Sequence, residues 1–213
     1  MLTLVDLILT IPNFISSEDC DYLINEYNAS QKIAVQESSV EVNELKIKEA
    51  TMNVVKLEPH TKAFNIAHKY TNNAVEKYIE YLAEQKSFFT EMLASHFSHS
   101  HNYRLLCYNV DESIHDHIDS EYTSNVHGSC SLILNDDYEG GEFKFFKGQH
   151  KIKCTKGSCL VWPANPWFVH GVDKITKGKR YSVNSFLCTK DAFEDNYQSL
   201  SYFHPYTRDA IEK

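Results

Sequence analysis

Between about Thr61 and Gln85 the apolar and aromatic positions Ala63, Ala67, Tyr70, Ala74, Tyr78 and Leu82 recur every three or four residues, with Lys and Glu elsewhere. That period predicts a long amphipathic helix with one face turned to a core. Earlier, Cys20, Leu23, Ile24 and Tyr27 keep helical spacing behind Ser16 or Ser17, either of which can cap a helix whose first turn carries Glu18 and Asp19. The chain opens on an apolar run that reads as a strand from about Leu2 to Ile11. Residues 31–57 mix β-prone stretches (Lys32 to Val35, Thr51 to Val55) with charge and predict strands joined by a loop. Beyond Tyr103 short β-rich runs take over: Tyr103 to Val110, Ser129 to Leu134, Glu142 to Phe146, Ser158 to Trp162, Phe168 to Val172 and Arg180 to Leu187. Helices first and closely spaced strands after give an α+β chain ending in a barrel or sandwich. The paired glycines Gly140 and Gly141 supply the positive backbone angles that a tight connection between two of these runs demands.

Composition narrows the classes. The 213 residues suit one domain, 1–213, with an N-terminal part (1–100) packed on a core (101–188) and a C-terminal extension (189–213). A formal net charge of −8 repels phosphate backbones, and Lys144, Lys147, Lys151, Lys153 and Lys156 read as a solvated strand face, so no nucleic-acid partner is expected. The six cysteines show no Cys-x-x-Cys pair and predict buried free thiols in a reducing compartment. The apolar start lacks a basic region and a cleavage site, and no later run approaches the ~18 residues of a membrane span. A cytoplasmic protein without membrane partners is the expectation.

Against this background His117-Ile118-Asp119 stands out. In extended backbone positions i and i+2 project to one side, so an imidazole and a carboxylate can meet one ion. His170, at the end of another predicted strand, can close the set when the barrel forms. Two His and one carboxylate on one face of an octahedron leave positions open for a bidentate co-substrate and O2 on Fe(II). His115 competes with His117 as first ligand. A second metal site at His127, His96, His99 and His101 is a weaker reading, because loop histidines of this kind are usually solvated.

Four motifs lie in a common order with this pair. Tyr108-Asn-Val-Asp-Glu-Ser-Ile-His-Asp-His117-Ile-Asp119 resembles the Tyr-x-x-Gly…His-x-Asp signature of the prolyl 4-hydroxylase-like family of 2-oxoglutarate- and Fe(II)-dependent dioxygenases. Tyr138-Glu-Gly-Gly-Glu-Phe143 is similar to that family's hairpin, and Trp162-Pro-Ala-Asn-Pro-Trp-Phe-Val-His170-Gly-Val172, followed by Gly178-Lys-Arg180-Tyr-Ser182, to its distal-His and basic-residue motifs. Ile11-Pro-Asn-Phe-Ile-Ser-Ser-Glu-Asp-Cys20 resembles the family's opening. The resemblance implies a double-stranded β-helix (jelly roll) flanked by N-terminal helices. It also implies Fe(II), 2-oxoglutarate and O2 as cofactors, with ascorbate as a candidate reductant. Two departures are Asp111, where the family usually has Gly, which predicts a rearranged turn, and Arg180, where collagen-type enzymes carry Lys.

The resemblance assigns the metal to His117, Asp119 and His170. Arg180 would bind the distal carboxylate of 2-oxoglutarate, since a guanidinium can make two parallel charge-assisted bonds to it. Tyr108, favoured by its motif position, or Tyr103 would add a hydroxyl, and Ser182 and Asn184 share a strand face with Arg180. Trp162, Trp167 and Phe168 are candidate pocket walls. A peptide or protein substrate, most simply a peptidyl proline, is the leading expectation, with a free amino acid or other small molecule as the alternative and a non-catalytic jelly-roll binding module as the remaining rival. Residues 113–126 or 189–213 are candidate lids.

Overall fold

The computed structural model describes residues 2–36, 40–42, 45–47, 51–87, 90–120 and 125–192. A 3-10 turn at Val5–Leu7 precedes β1 (Leu9–Ile11) and α1 (Ser17–Ala29), followed by β2 (Ile33–Gln36), β3 (Val40–Val42), β4 (Leu45–Ile47) and β5 (Thr51–Lys56). Two helices, α2 (Lys62–Glu84) and α3 (Thr90–His96), lead into β6 (His99–Tyr108), β7 (Ile114–His117) and β8 (Gly128–Ile133). The chain continues through β9 (Glu139–Gly140), β10 (Phe143–Phe145), β11 (His150–Ile152), β12 (Cys159–Pro163), β13 (His170–Val172), β14 (Ile175–Lys177) and β15 (Arg180–Cys188).

Seven strands form the larger sheet in the order β1-β12-β8-β15-β6-β5-β2, and four form the smaller, β11-β10-β13-β7. Every pairing is antiparallel. Phe143 and Phe145 of the smaller sheet pack edge-on against Trp162 of the larger at 5.7 and 5.6 Å, so the two sheets close on one another as a double-stranded β-helix. Sequence spacing explains the outer layer. Thr61 caps α2 by accepting from the Phe64 amide at 3.2 Å, and Ser16 caps α1 by accepting from that of Asp19 at 3.1 Å. Ala63, Ala67, Ala74 and Tyr78 bury the inner face of α2, and the Tyr78 hydroxyl donates to the Leu7 carbonyl at 2.9 Å. All six cysteines are buried thiols, and no helix of the described residues is long and apolar enough to cross a membrane.

Several expectations need correction. The opening strand shrinks to Leu9–Ile11, because Asp6 accepts from both the backbone and hydroxyl of Thr3 and stabilises a 3-10 turn there. Helix α3 was not foreseen from periodicity. The lysine face is solvated as expected, with Lys147, Lys151 and Lys153 exposed, but three of its members also make ion pairs: Lys144 and Lys151 with Asp116 and Asp173 at 3.0 and 2.6 Å, and Lys156 with Asp21. Of the two candidate lids, residues 114–117 are sheet; residues 121–124 and 193–213 lie outside the described residues.

Candidate metal centre and anion pocket

The smaller sheet puts two imidazoles in register. His117 ends β7, His170 begins β13, and the two are cross-strand partners with ring centroids 4.4 Å apart. Each ring is oriented by a backbone carbonyl: His117 Nδ1 lies 2.9 Å from the oxygen of His115, and His170 Nδ1 lies 3.0 Å from that of Phe168. The tautomer that donates there leaves both Nε2 lone pairs facing inward. Asp119 follows β7 in a turn, with Oδ1 3.3 Å from His117 Nε2 and Oδ2 3.4 Å from His170 Nε2. The Ser129 hydroxyl of β8 donates to Asp119 Oδ2 at 2.5 Å. The three donor atoms lie within 4.8 Å of one another, and no other cluster of three such ligands occurs among the described residues.

Electrostatics keep these groups in their metal-binding forms. Burial works against ionisation of Asp119, but the adjacent imidazoles and the Ser129 hydroxyl outweigh it and hold the carboxyl well below the usual range. Burial lowers the His170 pKa and favours the neutral imidazole, although Asp119 pulls the other way. Trp162 and Phe145 enclose the His170 ring at 5.0 and 5.6 Å. Phe168 is buried as expected, whereas Trp167 is 71% exposed and does not wall the site.

Arg180 opens β15 and is 1% exposed. Its Nη1 donates to Ser182 Oγ at 3.2 Å and its guanidinium lies over the Tyr108 and Phe143 rings, while burial raises the pKa of the nearby Tyr138 phenol against the opposing pull of the Arg180 charge. Nε and Nη2 are buried with no hydrogen-bond partner. A buried cation with two unsatisfied donors fits an anion such as a carboxylate. Tyr108 is Arg180's cross-strand partner on β6, and burial pushes its phenol up to about 12, so it stays a neutral donor. Gly141 makes room: its φ is +70°, and a Cβ there would overlap Ile175 and approach Arg180 Cδ to 3.1 Å.

His117, Asp119 and His170 thus come together, and Arg180, Tyr108 and Ser182 form a second group on the inner face of the larger sheet. Tyr103 does not join it. Its hydroxyl is 2.8 Å from His68 Nδ1 and 2.5 Å from Ser100 Oγ, on the face turned to α2, because it and Tyr108 lie on opposite sides of β6. His115 contributes its carbonyl, not its ring, to the centre. His99 and His101 are 4% and 2% exposed within β6, which overturns their reading as solvated loop histidines. Tyr138 was missed as a site residue, although it opens the glycine-pair motif. Asp111 adopts φ +69°, the conformation expected of the glycine it replaces, and its amide donates to the Ile175 carbonyl, so the turn is kept rather than rearranged.

Comparison with known proteins agrees with this geometry. Residues 103–188 match the family model described as the 2OG-Fe(II) oxygenase superfamily, which supports a 2-oxoglutarate/Fe(II) dioxygenase domain over that segment and implies Fe(II), 2-oxoglutarate and O2 as its cofactors. Within that class the fold is prolyl hydroxylase-like. A Trichoplax adhaerens prolyl hydroxylase in complex with a hypoxia inducible factor oxygen degradation domain peptide fragment superposes with a TM-score of 0.67 at 15% identity, covering 91% of this chain and 88% of that one. A Pseudomonas putida prolyl-4-hydroxylase gives 0.62 at 13% identity (86% and 93% covered). The viral collagen prolyl hydroxylase of Paramecium Bursaria Chlorella virus-1, in its 2OG complex, gives 0.60 at 16% identity (86% and 96%). No curated protein matches the sequence.

Proposed function

We propose that this single-domain oxygenase hydroxylates a C–H bond of a peptidyl proline, with His117, Asp119 and His170 as the iron ligands and Arg180 as the anchor for the distal carboxylate of 2-oxoglutarate. The observation that carries the reading is the buried Arg180, with Nε and Nη2 unsatisfied on the inner face of the sheet whose Ser129 holds Asp119. Bound Fe(II) supplies the reductive activation of O2 coupled to decarboxylation of 2-oxoglutarate. The chain does the rest. The His115 and Phe168 carbonyls fix the imidazole tautomers, Ser129 orients the Asp119 carboxylate, and Arg180 with Ser182, Tyr108 and Tyr138 aligns the co-substrate. Trp162, Phe143 and Phe145 exclude water around His170 and Arg180, which strengthens those charge interactions. The peptide component rests on shared fold with prolyl hydroxylases, one of them solved with a peptide fragment.

Anaerobic titration with Fe(II) and then 2-oxoglutarate tests the site. A visible charge-transfer band should appear only with both ligands, and at ~100 times the dissociation constant 2-oxoglutarate should add about 2.7 kcal/mol of stability. Asp119→Ala should abolish both signals. Mass spectrometry of proline-containing peptides tests the substrate: gain of one oxygen atom on proline supports the reading, and a band-forming enzyme that oxidises no such peptide refutes its peptidyl-proline part.

A further inference from the structure

Strand β7 is four residues long, forms an edge of the smaller sheet, and holds His117 against β13 by two register pairs, His117 with His170 and Ile114 with Val172. From His170 to Val172 is two residues, but from His117 back to Ile114 is three, so β7 carries a bulge at His115 and Asp116 opposite Gly171. The missing side chain of Gly171 admits that bulge: a Cβ there would lie 2.7 Å from the Ile114 carbonyl oxygen and 2.8 Å from that of His115. The same His115 oxygen lies 2.9 Å from His117 Nδ1, so the bulge supplies the group that orients the ring. A bulge also bends an edge strand away from its partner. A metal ligand needs tighter support than two register pairs give it.

Lys144 reaches the bulge from the far side of β13. It is the register partner of Gly171 on β10, and its neighbours Phe143 and Phe145 face Trp162 and the core, so alternation turns Lys144 to the outer face of the sheet. Its Cε would lie 2.9 Å from a Cβ on Gly171, so the lysine chain lies across the glycine. Beyond it, Nζ meets Asp116 Oδ1 at 3.0 Å. β10 and β7 stand two strands apart, roughly 10 Å, a gap that a lysine chain and a carboxylate bridge only over a residue without a side chain. One side chain thus crosses β13 and ties β10 to the residue between His115 and His117. The pair is partly sheltered, with Lys144 and Asp116 side chains 23% and 31% exposed and Asp116 Oδ1 itself buried.

We propose that Lys144 is a positioning residue of the metal centre: through its ion pair with Asp116 it closes the β7 bulge over Gly171 and so fixes the His115 carbonyl, the His117 ring and the approach of that ring to His170. This rests on the function proposed above and deepens it. The pair stands on the outer face of the sheet and acts only through His117.

The test compares anaerobic Fe(II) titrations of the full chain, unsubstituted and as Lys144→Met, Asp116→Asn, the double variant and Lys144→Arg. Met keeps a chain over Gly171 and removes the charge. Each of the first two should weaken Fe(II) binding by about 3–10-fold, less than the 10–100-fold expected of a group bonded directly to a ligand. The double variant should be no weaker than the worse single one, because the two residues act as one unit. Lys144→Arg should restore most of the affinity. Melting temperature should move by no more than about 3 °C throughout, since a partly exposed ion pair adds little to global stability. In the metal-free protein the nitrogen NMR resonances of the His117 ring should move in Lys144→Met and return in Lys144→Arg. Unchanged Fe(II) affinity and ring resonances in Lys144→Met overturn the proposal, as does additive weakening in the double variant, or a loss of affinity that only follows a large fall in melting temperature. Failure of the unsubstituted protein to bind Fe(II) instead removes the parent reading, and the proposal with it.

Discussion

Replacing Arg180 by Met should move stability in opposite directions with and without co-substrate. In the free protein the guanidinium leaves two buried cationic nitrogens, Nε and Nη2, unsatisfied, each costing about 1–3 kcal/mol. Against that stand its hydrogen bond to Ser182, worth about 1 kcal/mol, and two ring contacts of about 0.5–1 kcal/mol each. Met is long and unbranched, so it fills most of the same space beside Phe143 and Cys154. The free variant should therefore lie between unchanged and about 2 kcal/mol more stable, or up to about 8 °C in Tm for a domain of this size. In saturating Fe(II) and 2-oxoglutarate the order reverses, because only the unsubstituted protein gains the ligand's stabilisation. Differential scanning calorimetry of both proteins, with and without ligands, reads this directly. A free variant that melts more than about 8 °C lower would show that Arg180 is a structural cation already satisfied. A variant that keeps the full 2-oxoglutarate shift would show that the anchor lies elsewhere.

The other predictions concern the surroundings of the same two groups. Ser129→Ala removes the 2.5 Å bond to Asp119 and should weaken Fe(II) binding by about 10–100-fold with the fold intact; unchanged affinity in a metal titration would count against Ser129 as the residue that orients the carboxylate. Gly141→Ala forces a side chain into φ +70° at a cost of about 1–2 kcal/mol and crowds Arg180, so it should lower Tm and weaken 2-oxoglutarate binding together. His101 is 2% exposed with its pKa lowered by burial to about 4, so the folded state resists a proton that the unfolded state accepts near 6.5. Its contribution is present above pH 6.5 and is lost as pH falls toward 4, about 2 kcal/mol by pH 5. Denaturant unfolding at pH 7.5 and 5.0 should show that loss shrinking in His101→Phe, and an identical pH dependence in the two proteins would refute it.

Local rules carried much of this fold. The three- and four-residue spacing from Ala63 to Leu82 with Thr61 ahead of it is a complete helix statement, and α2 runs Lys62–Glu84. The residues of the candidate metal centre were also legible as a group, because short-range geometry fixes His117 beside Asp119 and strand pairing brings His170 across from them. What short windows do not contain is tertiary competition. Periodicity gives no reason for α3, seven residues long, and the 3-10 turn at Val5–Leu7 depends on Asp6 side-chain bonds that outcompete an apolar strand pattern.

Strand parity shows where the line falls. Tyr103 and Tyr108 are five residues apart, and simple alternation already sends them to opposite faces, so the sequence held a reason to drop Tyr103 from the pocket. Alternation then fails one residue earlier. A regular strand from Arg104 would turn His101 toward α2 and place Asn102 on the inner face, yet the bulge at Asn102 turns His101 inward beside Phe186. That bulge is set by how β15 pairs with β6, an interaction between residues more than eighty positions apart, and an Asn able to take a left-handed backbone permits it without requiring it. The inward face of Arg104 follows from alternation, but its company does not: Phe186 and His101 come beside it only through a long-range register. Residues fixed by local geometry could be named from the chain alone, whereas a pocket wall assembled by a bulge needed the paired strands.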